Sequence, residues 1–407
     1  MDAPAALMTS VDDMRWEADA APLRGMPVEK RQTPCGADPL RMQNGRESSV
    51  TDARGRELPI YQSVGPGGRP FPLLKAMLTT ACERDCHYCA FRAGRDERRA
   101  TFRPEEMARA FADLHRAGIV QGLFLSTGIF AGGANTQNKL LDTAEILRRR
   151  LGYRGYLHLK VMPGVERGQV ERAMVLADRV SINLEAPNPG RLLRLAPHKD
   201  FAEELLAPLQ WMEAIRSAAP PGTGRQASSA TQFVVGAAGE SDVEILATTE
   251  RLCRLAGLQR TYFSAFEPLR DTPLENHPAE NPAREHRLYQ ASYLLRDYGF
   301  DLEELTFDSD GRLPLDRDPK RAYADLHLSD APIEVNGASP HQLGRVPGIG
   351  PRSAGKILAA RRTHRLRHTG QLRSLGIVAE RAAPYILLDG KRPPLQQPML
   401  LGVRRAE

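Results

Sequence analysis

The sequence predicts an α/β protein: a partial barrel of six parallel strands, each followed by a helix, with a small all-α unit at the C-terminal end. Three observations carry this. From about residue 72, short apolar runs alternate with longer amphipathic stretches, the rhythm of repeated strand–helix units. Six such units in a row favour parallel strands joined by right-handed crossovers. Charge then divides the chain: residues 341–407 hold 13 Lys+Arg against 3 Asp+Glu, a net of +10, and the other 340 residues carry a net of −4.

The elements follow in order. Residues 1–70 are rich in Pro, Gly and charge and poor in periodicity, which predicts disorder over 1–30 and an irregular lead-in over 31–70. Strands are expected at 73–80 (LLKAMLTT), 122–127 (GLFLST), 156–161 (YLHLKV), 179–185 (RVSINLE), 231–236 (TQFVVG) and 260–266 (RTYFSAF). Helices are expected at 104–117, 137–151, 167–177, 200–217, 241–256 and 283–297, with Pro104 suited to a first helical turn. These make a partial (β/α)6 barrel of the TIM type over 71–305, and such barrels place their active sites in the loops beyond the strands' C-terminal ends. Residues 306–332 read as a connector. Its DSDG stretch invites a calcium-loop reading, but that register puts Thr306 at the first ligand position and Arg317 at the twelfth, where a carboxylate is needed. A helical unit follows over 333–390, then a Pro-rich, basic tail over 391–407.

Composition bounds the class. At 41% hydrophobic and 26% charged residues, the chain reads as soluble and globular. No apolar run approaches the ~20 residues that span a bilayer, so no membrane partner is expected. The opening stretch lacks a basic n-region and a long apolar h-region. Five cysteines, an odd and low count, argue for a reducing cytoplasm and against a disulfide framework.

Three of those five, Cys82, Cys86 and Cys89, fall within eight positions directly after the first strand. A disulfide would leave one thiol over. Structural zinc needs a fourth ligand from His87, Cys35 or Cys253. An iron–sulfur cluster fits three protein thiolates without a distant partner and leaves one iron open. The spacing favours the cluster and leaves zinc as the alternative.

Cys-x3-Cys-x2-Cys, with Tyr88 before the last cysteine and a strand of a β/α barrel before the first, resembles the radical S-adenosylmethionine superfamily. The resemblance implies a [4Fe–4S] cluster on the three cysteines and S-adenosylmethionine on the open iron. It implies reductive cleavage to a 5′-deoxyadenosyl radical and an electron donor such as flavodoxin or ferredoxin. Further segments fit in strand order. Ser126, Thr127 and Gly128 resemble the turn that meets the methionine amino group, although the family's common Gly-Gly-Glu is absent. Asn183 and Glu185 resemble the polar pair at the ribose or methionyl end. VVGAAGE, with Gly236 and Gly239, is similar to the turn beneath the adenine. FEPLRDTPLE, with Pro268, is similar to a stretch of biotin-synthase-like members. Tyr88 joins this set of cofactor contacts. His158 and Lys160 end the third predicted strand, and Lys199 and Arg194 follow the fourth, where a cation suits the methionine carboxylate. Cys253 sits at helical spacing among apolar residues and reads as a core thiol.

The C-terminal unit carries a second signal. In EVNGASPHQLGRVPGIGPRSAGKILAARR, Ser339 is a plausible N-cap with Pro340 at the first helical position, and a second helix would start at Pro351. Gly348 and Gly350 permit a tight loop whose amides, beside a helix N-terminus, suit a phosphate. This resembles the helix–hairpin–helix motif, which grips duplex backbone without reading bases. Arg345, Arg352 and Lys356 would add charge there. A degenerate copy over 372–390 has Gly376-Ile-Val in place of Gly-Ile-Gly and is expected to serve packing. Tyr385 is the only aromatic residue from 341 onward, which gives base stacking little support.

Barrel and hairpin together, over roughly 58–390, resemble a bacterial group described as DNA modification or repair radical S-adenosylmethionine proteins. The expectation is an enzyme that docks on duplex DNA and modifies or repairs a nucleotide. The alternatives are a radical enzyme acting on RNA or protein, and a non-enzymatic, metal-stabilised DNA-binding protein.

Overall fold

Six apolar runs become six parallel strands. The computed structural model describes residues 59–64, 69–220 and 227–394, and the strands are β2 (Pro70–Met77), β3 (Gly122–Ser126), β4 (Tyr156–Lys160), β5 (Arg179–Ser181), β6 (Ser228–Val235) and β7 (Arg260–Ala265). They lie in sequence order in one sheet, each parallel to the next. The sheet has a seventh strand that the sequence reading left inside the irregular lead-in: β1 (Ile60–Val64) pairs antiparallel with β2, Ile60 opposite Leu74. The architecture is α/β, with a curled half-barrel sheet.

The connections are helical: α1 (Pro104–Arg116), α2 (Gly133–Glu145), α3 (Arg167–Leu176), α4 (Pro189–Leu195), α5 (Ala207–Ala218), α6 (Asp242–Leu255) and α7 (Pro282–Asp297). α2 runs on into a π-helical turn over Ile146–Arg150, and α5 is preceded by another over Phe201–Leu206. α4 is an extra element within the β5–α5 connection; Asn188 caps it by accepting from the Arg191 amide, and Pro189 opens it. α1 buries Met107, Phe111 and Leu114 on one face, the i, i+4, i+7 stripe that a sheet-packed helix requires. Strand alternation does the rest. Leu74 and Ala76 face out toward the helices, and Leu73, Lys75 and Met77 face the barrel interior.

The chain divides into two units, the first ending at Tyr289 and the second beginning at Gln290. The second contains α8 (Pro319–His327), α9 (Pro340–Arg345), α10 (Pro351–Ala360), α11 (Thr369–Ser374) and α12 (Ala379–Ala382). α8 falls within the stretch expected as a connector, and its Ala324 lies in the second unit's apolar core with Leu343, Ile349, Ile357 and Leu372. The unit is not purely helical: β8 (Ile333–Glu334) pairs in parallel with β9 (Ile386–Leu387) and ties the start of the helical array to its end. Ser339 caps α9 as its sequence suggests, accepting from the Gln342 amide while Gln342 reaches back to the Ser339 amide. The expected disorder over 1–30, Cys35 and most of the tail lie outside the described residues.

Candidate active site

The loop after β2 carries Cys82, Cys86 and Cys89, and all three line one cleft of about 180 Å³ at the C-terminal ends of the strands. Local bonds explain its shape. Beyond β2 the chain zips onto the end of β3: the Leu78 amide donates to Ser126 O, and the Gly128 amide to Thr79 O. Gly128 must be glycine, because a Cβ there would collide with the Ala81 carbonyl and lie 3.2 Å from Cys82 Cβ. On the far side, Arg99 gathers the loop's two ends. Its guanidinium donates to Thr80 O at 2.8 Å, before the first cysteine, and to Phe91, Arg92 and Arg95 carbonyls at 2.9, 2.9 and 3.2 Å, after the last. The middle is laced to the end of α4 and the segment after it. The His87 amide donates to Leu195 O at 2.7 Å, and Arg84 pairs with Glu204 and donates to His198 O.

The donor set suits an iron–sulfur cluster. Two thiols are met by backbone amides, Ile129 N to Cys82 Sγ and Phe91 N to Cys89 Sγ, each at 3.4 Å, the N–H to sulfur contacts that tune such clusters. Burial pushes the Cys89 thiol up to about 12. Burial also raises Cys86, against the pull of Lys199 beside it. Loading of the cluster therefore has to displace protons.

Across the cleft stands a buried polar group. Lys199 Nζ lies 3.1 Å from Glu185 Oε1, with the two side chains 9% and 5% exposed. Tyr88 also hydrogen-bonds Glu185, and Asn183 Nδ2 donates to its other oxygen at 3.4 Å. Burial opposes the carboxylate, yet Lys199 and Lys160 hold Glu185 below the ordinary carboxyl range. Burial likewise opposes the ammonium, yet Cys86 and Glu185 hold Lys199 above its ordinary range. Glu185 reaches this position with φ at +65°, a left-handed backbone that costs a side-chain-bearing residue about 1 kcal/mol or more. Its amide donates to Gln232 O and its carbonyl accepts from Val234 N, which pins that conformation on β6.

Of the residues singled out in the barrel, Tyr88, Ser126, Thr127, Gly128, Asn183 and Glu185 join the cysteines in lining this cleft, with Lys199 and Lys160. Three do not. Gly236 turns its missing side chain toward Glu280, and its amide is taken by Glu240 at 2.5 Å. Gly239 faces Arg191 and Arg194. Pro268 is exposed, while its neighbours Phe266, Glu267 and Leu269 line the cleft. The VVGAAGE turn is thus closed internally, by Glu240 on its amides and by Arg284, which donates to Asp242, Glu280 and the Glu240 carbonyl. Arg194 spends a donor on Ala238 O, and Cys253 is half-buried on α6.

In the second unit the loop between α9 and α10 contains Gly348 at φ +84°, where a Cβ would lie 2.8 Å from Val378 O. Gly350 caps α10 with a bare backbone over the Tyr298 ring. Arg352 and Lys356 are exposed beside this loop, and Lys356 donates to Leu375 O at 2.8 Å. Arg345 is a correction. It is 2% exposed, paired with Glu304, donating to Tyr298 and Gly299 carbonyls and stacked 4.1 Å over Phe300. Its guanidinium is buried, holds the segment beneath the loop and faces protein acceptors rather than a surface phosphate. Sequence reading missed Lys320, whose buried ammonium donates to Ile349 O at 2.5 Å from below the loop. Its only signal was a lysine within α8 on the same side as Ala324.

Comparison with known proteins adds the family. Residues 77–252 match the family model described as the radical SAM superfamily. No curated protein matches the chain. Solved structures similar to it include the FeFe-hydrogenase maturase HydG from Carboxydothermus hydrogenoformans, at 15% identity over 55% of this chain and 51% of that one, TM-score 0.44. Methylornithine synthase PylB is similar at 15% identity over 55% and 61%, TM-score 0.44. A radical SAM methyltransferase from Sphaerobacter thermophilus is similar at 14% over 60% and 69%, TM-score 0.41. The chain spans about half the length of the HydG structures it matches. With three cysteines on the loop after β2, residues 77–252 form a radical SAM superfamily domain, whose cofactors are a [4Fe–4S] cluster and S-adenosylmethionine.

Proposed function

We propose that this enzyme modifies or repairs a nucleotide within duplex DNA, with the second unit as its grip on the backbone. The observation that carries the reading is the Gly348–Gly350 loop, which opens α10 beside exposed Arg352 and Lys356, in a stretch of net charge +10. A helix start preceded by a glycine loop favours phosphate, and the cations around it add sequence-independent attraction. α9, the loop and α10 act here as a helix–hairpin–helix motif. α11 and α12 act as its degenerate partner, whose role is packing: Gly348 closes on Val378 and Arg381, and Lys356 closes on Leu375.

In the barrel, Cys82, Cys86 and Cys89 hold the cluster. Lys199, Asn183 and Glu185 present charge and hydrogen bonds to the amino-acid and ribose ends of S-adenosylmethionine. When bound, the reduced cluster supplies the electron that cleaves S-adenosylmethionine and so starts hydrogen abstraction; its donor is a small reducing protein of the flavodoxin or ferredoxin kind, in the cytoplasm. A base or sugar inside duplex is hidden from a barrel mouth, so the target nucleotide has to be extruded.

The test is a competition between duplex DNA and RNA of one sequence, at matched salt, on the reconstituted full-length chain. DNA binding is expected to weaken about 100-fold between roughly 50 and 200 mM salt, the slope of about four phosphate contacts. Arg352→Glu should weaken it further while 5′-deoxyadenosine release under dithionite persists. Preference for RNA, or binding indifferent to salt and to Arg352, would sink the DNA reading and leave the radical chemistry standing.

A further inference from the structure

The cation beneath the Gly348–Gly350 loop is unusual for its setting. Lys320, in the first turn of α8, is 8% exposed. Its ammonium touches a carbonyl and a ring: it donates to Ile349 O at 2.5 Å and lies 4.6 Å from the centroid of the Tyr298 ring. Asp318 is the acid whose charge reaches it. That carboxylate is already engaged, accepting from the Arg321 amide as the cap of α8 and pairing with Arg381 at 2.8 Å. The other charges acting on Lys320 are cations, Arg381 on α12 and Arg345 on α9, the latter paired with Glu304. Burying an ammonium on these terms costs stability, and a methionine would fill the same space at less cost. Proteins keep such costly groups where function needs them.

Peptide planarity gives this charge a use. No peptide among the described residues is cis, so the Gly350 N–H points opposite to the Ile349 C=O. Lys320 holds that carbonyl toward the unit's interior, and the opposed N–H points away from it at the opening of α10. The ammonium also polarises the peptide, which makes its N–H a stronger donor. The Tyr298 ring closes the floor, its hydroxyl oxygen only 3.0 Å from where a Cβ of residue 350 would stand. Lys320 therefore acts on an anion at the loop in two ways. It aims an amide, and it supplies a positive charge that water and salt screen weakly.

We propose that Lys320 is a buried positioning residue of the duplex grip, whose ammonium aims the Gly350 amide at a backbone phosphate and gains a proton as that phosphate binds. The inference rests on the reading of the second unit as a DNA-binding module, and adds that its grip is linked to protons. Burial pushes Lys320 down to about 7, so near neutral pH the free loop is only partly charged from below. A phosphate at the loop favours the ammonium and moves its titration upward. Binding is then tightest where Lys320 is already protonated, and weakens as pH rises. For a coupling of about one pKa unit, duplex affinity falls about fivefold between roughly pH 7 and 9, and each complex takes up about half a proton near pH 7.5.

The reconstituted full-length chain is titrated with a fluorescent DNA duplex at fixed salt across that pH range. Proton uptake is read by calorimetry in two buffers of unlike ionisation heat. Lys320→Met should bind about fivefold more weakly near pH 7, match the unmutated chain near pH 9 and lose the proton uptake. Its urea unfolding near pH 7 should show no loss of stability, which separates this role from a merely structural one. Arg352→Glu should weaken binding at every pH and keep the pH dependence. Should Lys320→Met fail to fold, the two-buffer measurement on the unmutated chain decides. Duplex binding that is flat in pH and takes up no proton overturns the role of Lys320 and leaves the DNA reading standing. So does a pH dependence that survives in Lys320→Met, or equal affinity of that variant near pH 7. No duplex binding at any salt removes both.

Discussion

At the scale of single residues, the Glu185–Lys199 pair is the most informative group in the cleft. Removing one partner strands a buried charge, so Glu185→Gln or Lys199→Met should each lower stability by about 3 kcal/mol. The double variant should recover much of that loss, as chemical denaturation in a double-mutant cycle would read. A pair that merely decorates the surface would give losses under about 1 kcal/mol and no coupling. Cys86→Ala removes a thiol from the cluster loop. Iron content after anaerobic reconstitution should fall to background, and dithionite-driven 5′-deoxyadenosine should fall at least about 100-fold. Retention of either at the level of the unmutated chain would rule out Cys86 as a ligand.

At the scale of elements, the second unit's loop is built from below. Gly348→Ala would set a side chain against Val378 O in a left-handed backbone, at a cost of about 1–3 kcal/mol. Loss of DNA affinity with it, read by salt titration, would tie loop shape to binding. Burial pushes Lys320 down to about 7, below its ordinary value near 10.5. Between those two values the unfolded chain holds the extra proton, so stability rises with pH across that window. Urea unfolding of the second unit should gain about 2 kcal/mol from roughly pH 7.5 to 9.5, and Lys320→Met should flatten that rise. What the sequence disclosed follows from range. The six strands, the cysteine loop and Ser126–Gly128 are legible because alternation and loop position are local. β1 was not, since its only partner is a neighbouring strand and its own five residues, IYQSV, lack a clear pattern. Nor was the inward turn of Arg345, which depends on Glu304 forty-one positions away. Gly236 and Gly239 look like ligand-facing glycines until Glu240 and Glu280 are seen to fill the turn.

At the scale of the whole molecule, the chain holds two units, and the second has a core of its own, from Ala324 to Leu388. Two cooperative transitions are expected in calorimetry, with each ligand stabilising the unit that binds it. Loading iron and sulfide should raise one midpoint and leave the other in place, while duplex DNA should do the reverse; a single transition moved by both would refute this division. Arg99 has a consequence for the life of such an enzyme in air. Four carbonyl contacts from one guanidinium clasp the two ends of the cysteine loop, so protein groups as well as any cluster hold its shape. A chain that loses its iron to oxygen is therefore expected to keep this clasp closed and, once its thiols are reduced, to take iron and sulfide back without refolding.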